Sequence, residues 1–592
     1  MIEHPRYLIT TSDERTWYHD RPVLFLGEWC RIYERQGLWQ DLDAKVVPPY
    51  GWGDGQKDAD FAYVQQLYEI LLVELSDALN QYHSVNHSLR YWRILIGPWL
   101  HTFTNVLFNR WSAIQLAFQN FEIAGTLLLD FPEGQMVPNS QSEFEQLILG
   151  HQWNHHIYGR ILSGWTNCQI EKKIAPILVE GIFDRNHKEY VSVNRLIRRF
   201  ITKGLDLLSG LLSFHKDAFF INTYLPRKQD LLLQIALGQI PKLWQTPKEP
   251  KVAPSLQIRK ELRMSYIEHN GFEHCIRILI VEQIPSLYLE GYQTLKLRAS
   301  KMFWPKNPKV IFTANSAHQD EIFKAWTAEK VESGTPYVYG QHGGLYGTGK
   351  FPTQFEIREV ETADRFLTWG WTDGNPKHYP SVASTIVGKP SGTWNPNGGL
   401  LQVNYVAYRY SRDPWEITNQ QAEYLEEQFR FVERLPEKIY HHLLVRLSRG
   451  DKSYGFPQKK KWKVRHPNVR LDEGNSSIDT LIRQSRIFVY TYNSTGFLET
   501  LSRNIPTIMY WNPLHWELRP SAQPYFDRLA KVGILHFTPE SAADKIASIW
   551  DNVDEWWCQD EIQEALIYFC DQFAILPANP IQVLKFALLS TI

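Results

Sequence analysis

A chain of 592 residues is longer than one hydrophobic core usually holds, so two or more domains are expected. Hydrophobic residues at 43% and charged residues at 21% are ordinary for a folded globular protein. Lys+Arg 63 against Asp+Glu 64 leaves a net charge of -1, which excludes a general electrostatic hold on nucleic acid.

The chain opens with two short strand-like runs, "RYLITT" (Arg6–Thr11) and "PVLFLG" (Pro22–Gly27), each running into a polar loop. The opening stretch "MIEHPRYLITTSDERTW" is charged throughout and lacks the apolar core of a signal peptide. Asp13 and Glu28 follow these strands, where a carboxylate suits an acceptor base or a nucleophile, or serves as a cap or surface charge. From about Asp60 to Ile240 the pattern is helical, with "DFAYVQQLYEILLVELSDALNQYH" a clear amphipathic helix. "VNRLIRRFITKGLDLLSGLLSFH" reads as a second helix, partly buried with a basic face, with a membrane-lying role as the alternative. A Pro/Lys-rich connector follows at Thr246–Ser255.

Beyond Pro305 strands and helices alternate: "KVIFTAN", "AHQDEIFKAWTAEKVES", "TPYVYGQ", "DRFLTWG" and "STIVGKP". "SGTWNPNGG" (Ser391–Gly399) reads as a linker, after which the alternation resumes through "LQVNYVAY", "HHLLVRLS", "RIFVYTY" and "IPTIMYW". Such alternation predicts parallel sheets covered by helices, with ligands at the carboxyl ends of strands. The basic run "KKKWKVRHPNVR" reads as a solvated loop, with an anionic membrane surface as the alternative contact.

The loop "YVYGQHGGLYGTGK" (Tyr337–Lys350) is not a phosphate-cradling P-loop, because Phe351 stands where a Ser or Thr would hold magnesium. What remains is Gln341-His342-Gly343-Gly344 at a strand end. Glycines there permit close backbone approach, and a histidine can donate to phosphate or act as acid or base. The alternative is a hydrogen-bonded loop histidine. A second candidate is Asn493-Ser494-Thr495 between a strand and a helix, with Glu499 one turn inside. It reads as a helix cap or as a phosphate-binding N-terminus with Glu499 on sugar hydroxyls. Arg446 and Arg449 follow a third strand, as a bidentate phosphate grip or as a solvated rim pair.

The DxD triplets Asp41-Leu42-Asp43 and Asp58-Ala59-Asp60 follow no convincing strand, and no metal role is expected for them. Five scattered cysteines form no CxxC pattern, and no apolar run is long enough to span a bilayer. A reducing cytoplasm is the expected setting, with peripheral contact to the inner membrane face. Aromatic residues at 14% are assigned mostly to cores, with sugar stacking as a lesser hint.

"YLITTSDERTW…RPVLFLGEWC", "YWRILIGPWL" and "YGQHGGLYG" together resemble a family of bacterial transferases from surface-polysaccharide and O-antigen gene clusters. More distantly, Lys309 to Trp511 is similar to capsule 3-deoxy-octulosonic acid transferases and teichoic-acid glycerophosphotransferases. The matching features are His342-Gly343, Gly388-Lys389-Pro390 and Asn493-Ser494-Thr495. Where those relatives carry a His-Pro pair, this chain has Ser448-Arg449; His466-Pro467 and Asp472-Glu473-Gly474 stand nearby in reversed order.

The resemblance implies a GT-B α/β fold: two Rossmann-like domains across a cleft, with a large helical insertion at about 60–300. Residues 1–390 form the acceptor-side domain, 391–399 the linker, 400–565 the nucleotide-sugar domain, and 566–592 a helical tail. It implies sugar transfer, an ulosonic acid from a CMP-linked donor favoured, to a lipid-linked or oligosaccharide acceptor. No metal or other cofactor is needed. Catalysis falls to His342 with Asp13 or Glu28, and donor binding to Gln341, Gly343, Gly344, Arg446, Arg449, Asn493, Ser494, Thr495 and Glu499. The competing expectations are a CDP-glycerol-type glycerophosphotransferase and a non-catalytic assembly scaffold.

Overall fold

The computed structural model describes residues 4–50, 55–174, 216–264, 271–389, 394–415, 420–448 and 455–592. The expected basic amphipathic helix near residues 193–215 and part of the linker lie outside them.

The α/β class is as expected, built here on three sheets. The first comprises β1 (Arg6–Ile9), β2 (Val23–Phe25), β3 (Ala44–Val46), β4 (Ile123–Asp130) and β5 (Ile170–Ile174), in the order β3-β2-β1-β4-β5. The second runs β10-β9-β8-β7-β6, from β6 (Phe219–Ile221), β7 (Ile311–Thr313), β8 (Tyr337–Gly340), β9 (Arg365–Thr368) and β10 (His378–Pro380). The third contains β11 (Gly399–Val403), β12 (Leu443–Arg446), β13 (Arg470–Asp472), β14 (Ser485–Tyr490), β15 (Thr507–Tyr510) and β16 (Leu535–His536). Its order is β13-β12-β11-β14-β15-β16. Every pairing among these strands is parallel.

The first and third sheets reverse direction of growth beside their first strand, β1 and β11. Each therefore has a switch point where loops diverge and leave a crevice. The second sheet grows in one direction and has no such reversal.

Two expectations need correction. The stretch from 60 to 300 is not a purely helical insertion, since β4, β5 and β6 lie within it. Parallel strands covered on both faces read as short apolar runs, which periodicity does not separate from buried helix. "STIVGKP" is a turn rather than a strand, with Gly388 at φ 76.

Most large aromatics are structural, as expected: Trp92, Trp99, Trp153, Trp369, Trp371, Trp462 and Trp511 are fully buried. The tail does not stay beside the third sheet. Its last helix, Pro580–Leu589, packs Leu584, Ala587 and Leu588 into a cluster with Phe220, Phe312, Val338 and Leu367 of the second sheet. The two halves of the chain are thus tied at the end of the sequence as well as at the linker.

Candidate functional site

The loop after β8 lies between the halves. At its start, Gln341 accepts from the Trp369 backbone N–H at 2.9 Å and from Trp371 Nε1 at 2.8 Å. Its own amide donates to Gly343 O at 2.8 Å. These bonds hold Gln341 inward as a brace, so it is not placed to contact a donor.

The glycines serve close approach. A Cβ on Gly344 would lie 2.3 Å from Ser494 C and 2.4 Å from Thr495 N, so the two strand-end motifs are in backbone contact. Gly344 N–H donates to Thr495 Oγ1 at 3.0 Å, and Asn493 Nδ2 donates to Thr348 Oγ1 at 3.1 Å. Further on, Lys350 N–H donates to Glu517 O at 2.8 Å and Arg519 N–H to Thr348 O at 2.9 Å. Gly347, at φ +72, faces Trp371 where a side chain would collide.

Replacing Gly344 by Ala has a direct consequence. The new methyl meets backbone on the opposite wall, which cannot swing aside as a side chain would. Gly344→Ala is expected to cost about 1–3 kcal/mol of stability, read as a lowered chemical-denaturation midpoint at unchanged m-value.

Two cavities flank this loop. The larger, about 850 Å³, collects the carboxyl ends of β6, β7 and β8, and is lined by Tyr224, Asn315, His318, Asp320, His342 and Arg412. Asn222 and Tyr224 on its rim hold positive φ values of 47 and 60, an uncommon strain for non-glycine residues. The smaller, about 250 Å³, lies on the other side of the loop, between Leu345 or Gly349–Thr353 and the third sheet. Tyr405 follows β11 there, and Tyr492, Asn493 and Ser494 follow β14, which places this cavity at the switch point. Trp415 and Trp516 add flat aromatic surface.

His342 sits on the wall of the larger cavity. Its Nδ1 lies 3.2 Å from Tyr346 Oη and 3.6 Å from Glu359 Oε1. The Tyr346 hydroxyl donates to Glu359 Oε2 at 2.9 Å, and His318 Nε2 lies 2.6 Å from Glu359 Oε1. Burial lowers the His342 pKa to about 4, so its ring is neutral at pH 7. Burial, then the nearby Arg358 charge, lowers His318, while burial raises Glu359 above the ordinary carboxylate range. His318, His342 and Glu359 offer ligand atoms within 4.8 Å of one another, a spacing a metal ion could use. Two features favour a hydrogen-bond network instead. His318 and Glu359 already bond directly, and Arg358 directs an N–H at His318 Nδ1 from 3.4 Å.

The other expected residues divide. Ser494 caps the helix Thr495–Ser502, and with Asn493 it lines the smaller cavity. The helix N-terminus is covered by Gly344 rather than left open. Glu499 pairs with Lys389 Nζ at 3.1 Å across the halves, so the expected sugar contact is taken up by a lysine. Arg446 lines neither flanking cavity; its Nη1 donates to Asp472 Oδ2 at 3.1 Å and to Ser476 O at 3.0 Å. Arg449 lies outside the described residues.

Asp13 and Glu28 are not brought to His342. Asp13 is 5% exposed, caps the turn Glu14–Thr16 and pairs with Arg15. Burial raises its pKa, but hydrogen bonding to Arg15 and the His151 charge outweigh that and leave it lowered. Glu28 pairs with Arg31 and lines a separate cavity of about 80 Å³ with Arg409 and Lys461. The reason is topological: both follow strands of the first sheet, whereas His342 ends a strand of the second.

Three of the four DxD carboxylates are likewise engaged, Asp43 with Arg6, Asp58 with Lys350 and Asp60 with Gln56. The basic run is partly helix, Lys459–Arg465, and its Lys459 and Arg465 pair with Glu473 and Glu433. The residues missed in the sequence include Asn315, two residues past β7, and His318, in the short helix Ser316–Gln319 that follows, both at the strand's carboxyl end. Glu359 and Arg412 carry no local signal.

Among curated proteins, none matches this chain. Three solved structures illustrate the structural matches. The chain is similar to trehalose-6-phosphate synthase OtsA at 12% identity, over 53% of this chain and 78% of that one, with a TM-score of 0.32. It is similar to WaaG, a glycosyltransferase involved in lipopolysaccharide biosynthesis, at 11% identity over 50% of this chain and 95% of that one, TM-score 0.27. Spinosyn rhamnosyltransferase SpnG with spinosyn aglycone matches at 11% identity over 50% and 81%, TM-score 0.26. At such values the likenesses assign no residue and no substrate. The family described as LIC12162 family transferase matches residues 6–588, and the chain belongs to that transferase family.

Proposed function

We propose that the protein is a GT-B glycosyltransferase of bacterial cell-surface polysaccharide synthesis. It carries a sugar from a nucleotide-linked donor, CMP-linked by preference, to a lipid-linked or oligosaccharide acceptor at the cytoplasmic face of the membrane. The transfer is metal-independent in this reading, with Glu359 engaged by His318 and Tyr346 and the His342 ring by Tyr346.

The observation that carries the reading is the pair of cavities on opposite sides of one loop. The aromatic crevice at the β11/β14 switch point suits the flat faces of a base or sugar. The larger cavity offers hydroxyls, amides and carboxylates suited to a polyhydroxylated acceptor. His342, on the wall of the larger cavity, is neutral at pH 7 and contributes a hydrogen bond to the leaving phosphate rather than a carried proton. Asn493 and Ser494 belong to the donor side.

Thermal melting across CMP, UDP, GDP and CDP tests this reading. One base at about 100 times its Kd is expected to stabilise the folded chain by about 2.7 kcal/mol. Radiolabelled sugar transfer with that donor class then checks turnover. Transfer of glycerol phosphate from CDP-glycerol would replace the sugar-donor reading, and no shift with any nucleotide would favour the scaffold.

A further inference from the structure

The helix Arg227–Ala236 leads away from the rim of the larger cavity and packs beside the tail helix Pro580–Leu589. Both cover the second sheet with one face, through Leu233 and Leu237 on the first and Leu584 and Leu588 on the second. Their opposite faces repeat one pattern. Lys228, Leu232 and Ile235 fall at i, i+4, i+7, and so do Gln582, Phe586 and Leu589, so each set forms a single outward stripe.

Past their first members, Lys228 and Gln582, these stripes are apolar where solvent would call for polar groups. Ile235 is 57% exposed, Phe586 63%, and Ile592, just past the second helix, 62%. Exposed Arg227 and Lys228 stand at the start of the first helix, and half-buried Lys585 lies on the second. The single acid on these two helices, Asp230, is turned inward and accepts from Thr223 Oγ1 at 2.6 Å and Gln234 Nε2 at 2.7 Å. The face is therefore apolar with a cationic fringe. It is also continuous with the cavity, because Arg227 and Asp230 line it and Tyr224, 43% exposed, stands at its rim.

We infer that the outer face of these two helices is a docking surface for an anionic lipid bilayer, which holds the mouth of the larger cavity at the headgroups. Large apolar side chains enter the acyl boundary while lysine and arginine meet anionic headgroups, the usual arrangement of an interfacial amphipathic helix. A second copy of the chain would present the same cationic fringe and repel it. Docking here serves the proposed transfer to a lipid-linked acceptor and rests on that reading for its purpose.

Vesicle flotation of the full chain tests it. The protein is expected to float with phosphatidylglycerol-rich vesicles at low salt and to stay behind with pure phosphatidylcholine. Ile235→Glu combined with Phe586→Glu is expected to weaken flotation at least about tenfold. Lys228→Gln with Lys585→Gln should weaken it by on the order of fivefold per residue. Unchanged melting curves and an unchanged nucleotide shift in these variants show that the fold and donor site are intact. Three results would overturn docking at this face. They are absence of flotation by the parent protein, full flotation of the Ile235/Phe586 variant, or a parent dimer that this variant converts to monomer without vesicle binding. Flotation that survives while no nucleotide shifts the melting curve would remove the transfer reading and leave the docking surface standing.

Discussion

His342→Ala is expected to lower the transfer rate by about 10²–10⁴-fold while leaving the melting temperature close to that of the parent. The ring lies on a cavity wall, with its side chain 16% exposed, so its removal enlarges an existing space rather than opening a new one in the core. Its neighbours Tyr346 and Glu359 keep their own hydrogen bond. Single-turnover measurement should place the loss in the chemical step, with donor affinity little changed. The pH profile separates two roles. Because burial holds His342 at about 4, its protonation should not limit the rate near pH 6.5. A limb near pH 6.5 that disappears in His342→Gln would instead make the imidazole a proton carrier.

Arg519→Met is the second large effect. Arg519 Nη2 donates to Glu356 Oε1 at 2.8 Å, and the two side chains are 12% and 6% exposed. Arg519 Nε also donates to Gly349 O at 3.0 Å, so one side chain ties the His342 loop to the third-sheet half. Removing it leaves Glu356 buried without its partner, a change that costs about 3–5 kcal/mol. Burial already raises the Glu356 pKa, with Arg519 pulling it down, so the variant should raise it further. A carboxyl whose folded pKa lies above its unfolded value is stabilised as pH falls, because the folded state takes up the proton. The deficit relative to the parent should therefore shrink as pH is lowered toward the ordinary carboxylate range. Glu356→Gln added to Arg519→Met should recover part of the loss, and the double-mutant cycle measures the coupling. A strictly additive pair would mean that the clasp holds through the backbone bonds alone.

The consequence for function is a division of labour along one loop. Gly344, Thr348, Lys350 and Arg519 set the relative position of the halves, and His342 faces the cavity that this position creates. A substitution in the clasp should thus affect stability first and turnover as a result. His342 should affect turnover alone.

Much of the local architecture was legible in the amino-acid order. Alternating apolar runs and helical stretches announced β7, β8, β9 and, in the third sheet, β11, β12, β14 and β15, but not the short edge strands β13 and β16. The glycines around His342 marked a loop needing close approach, and Gly344 against Ser494 is that approach. These features rest on periodicity and backbone freedom, which neighbouring residues express by themselves. No membrane-crossing helix was expected, and among the described residues none is long and apolar enough.

Partnerships over long sequence separations were decided only by the tertiary structure. It gave Arg446 to Asp472 and Glu499 to Lys389, and it gathered His318, His342 and Glu359 from separate elements. It also divided the amino-terminal half between two sheets, leaving Asp13 and Glu28 on one and His342 on the other. The physical reason is the same throughout. A strand-end residue is recognisable from its neighbours, but the charge or cavity it meets depends on which sheet its strand joins and in what order.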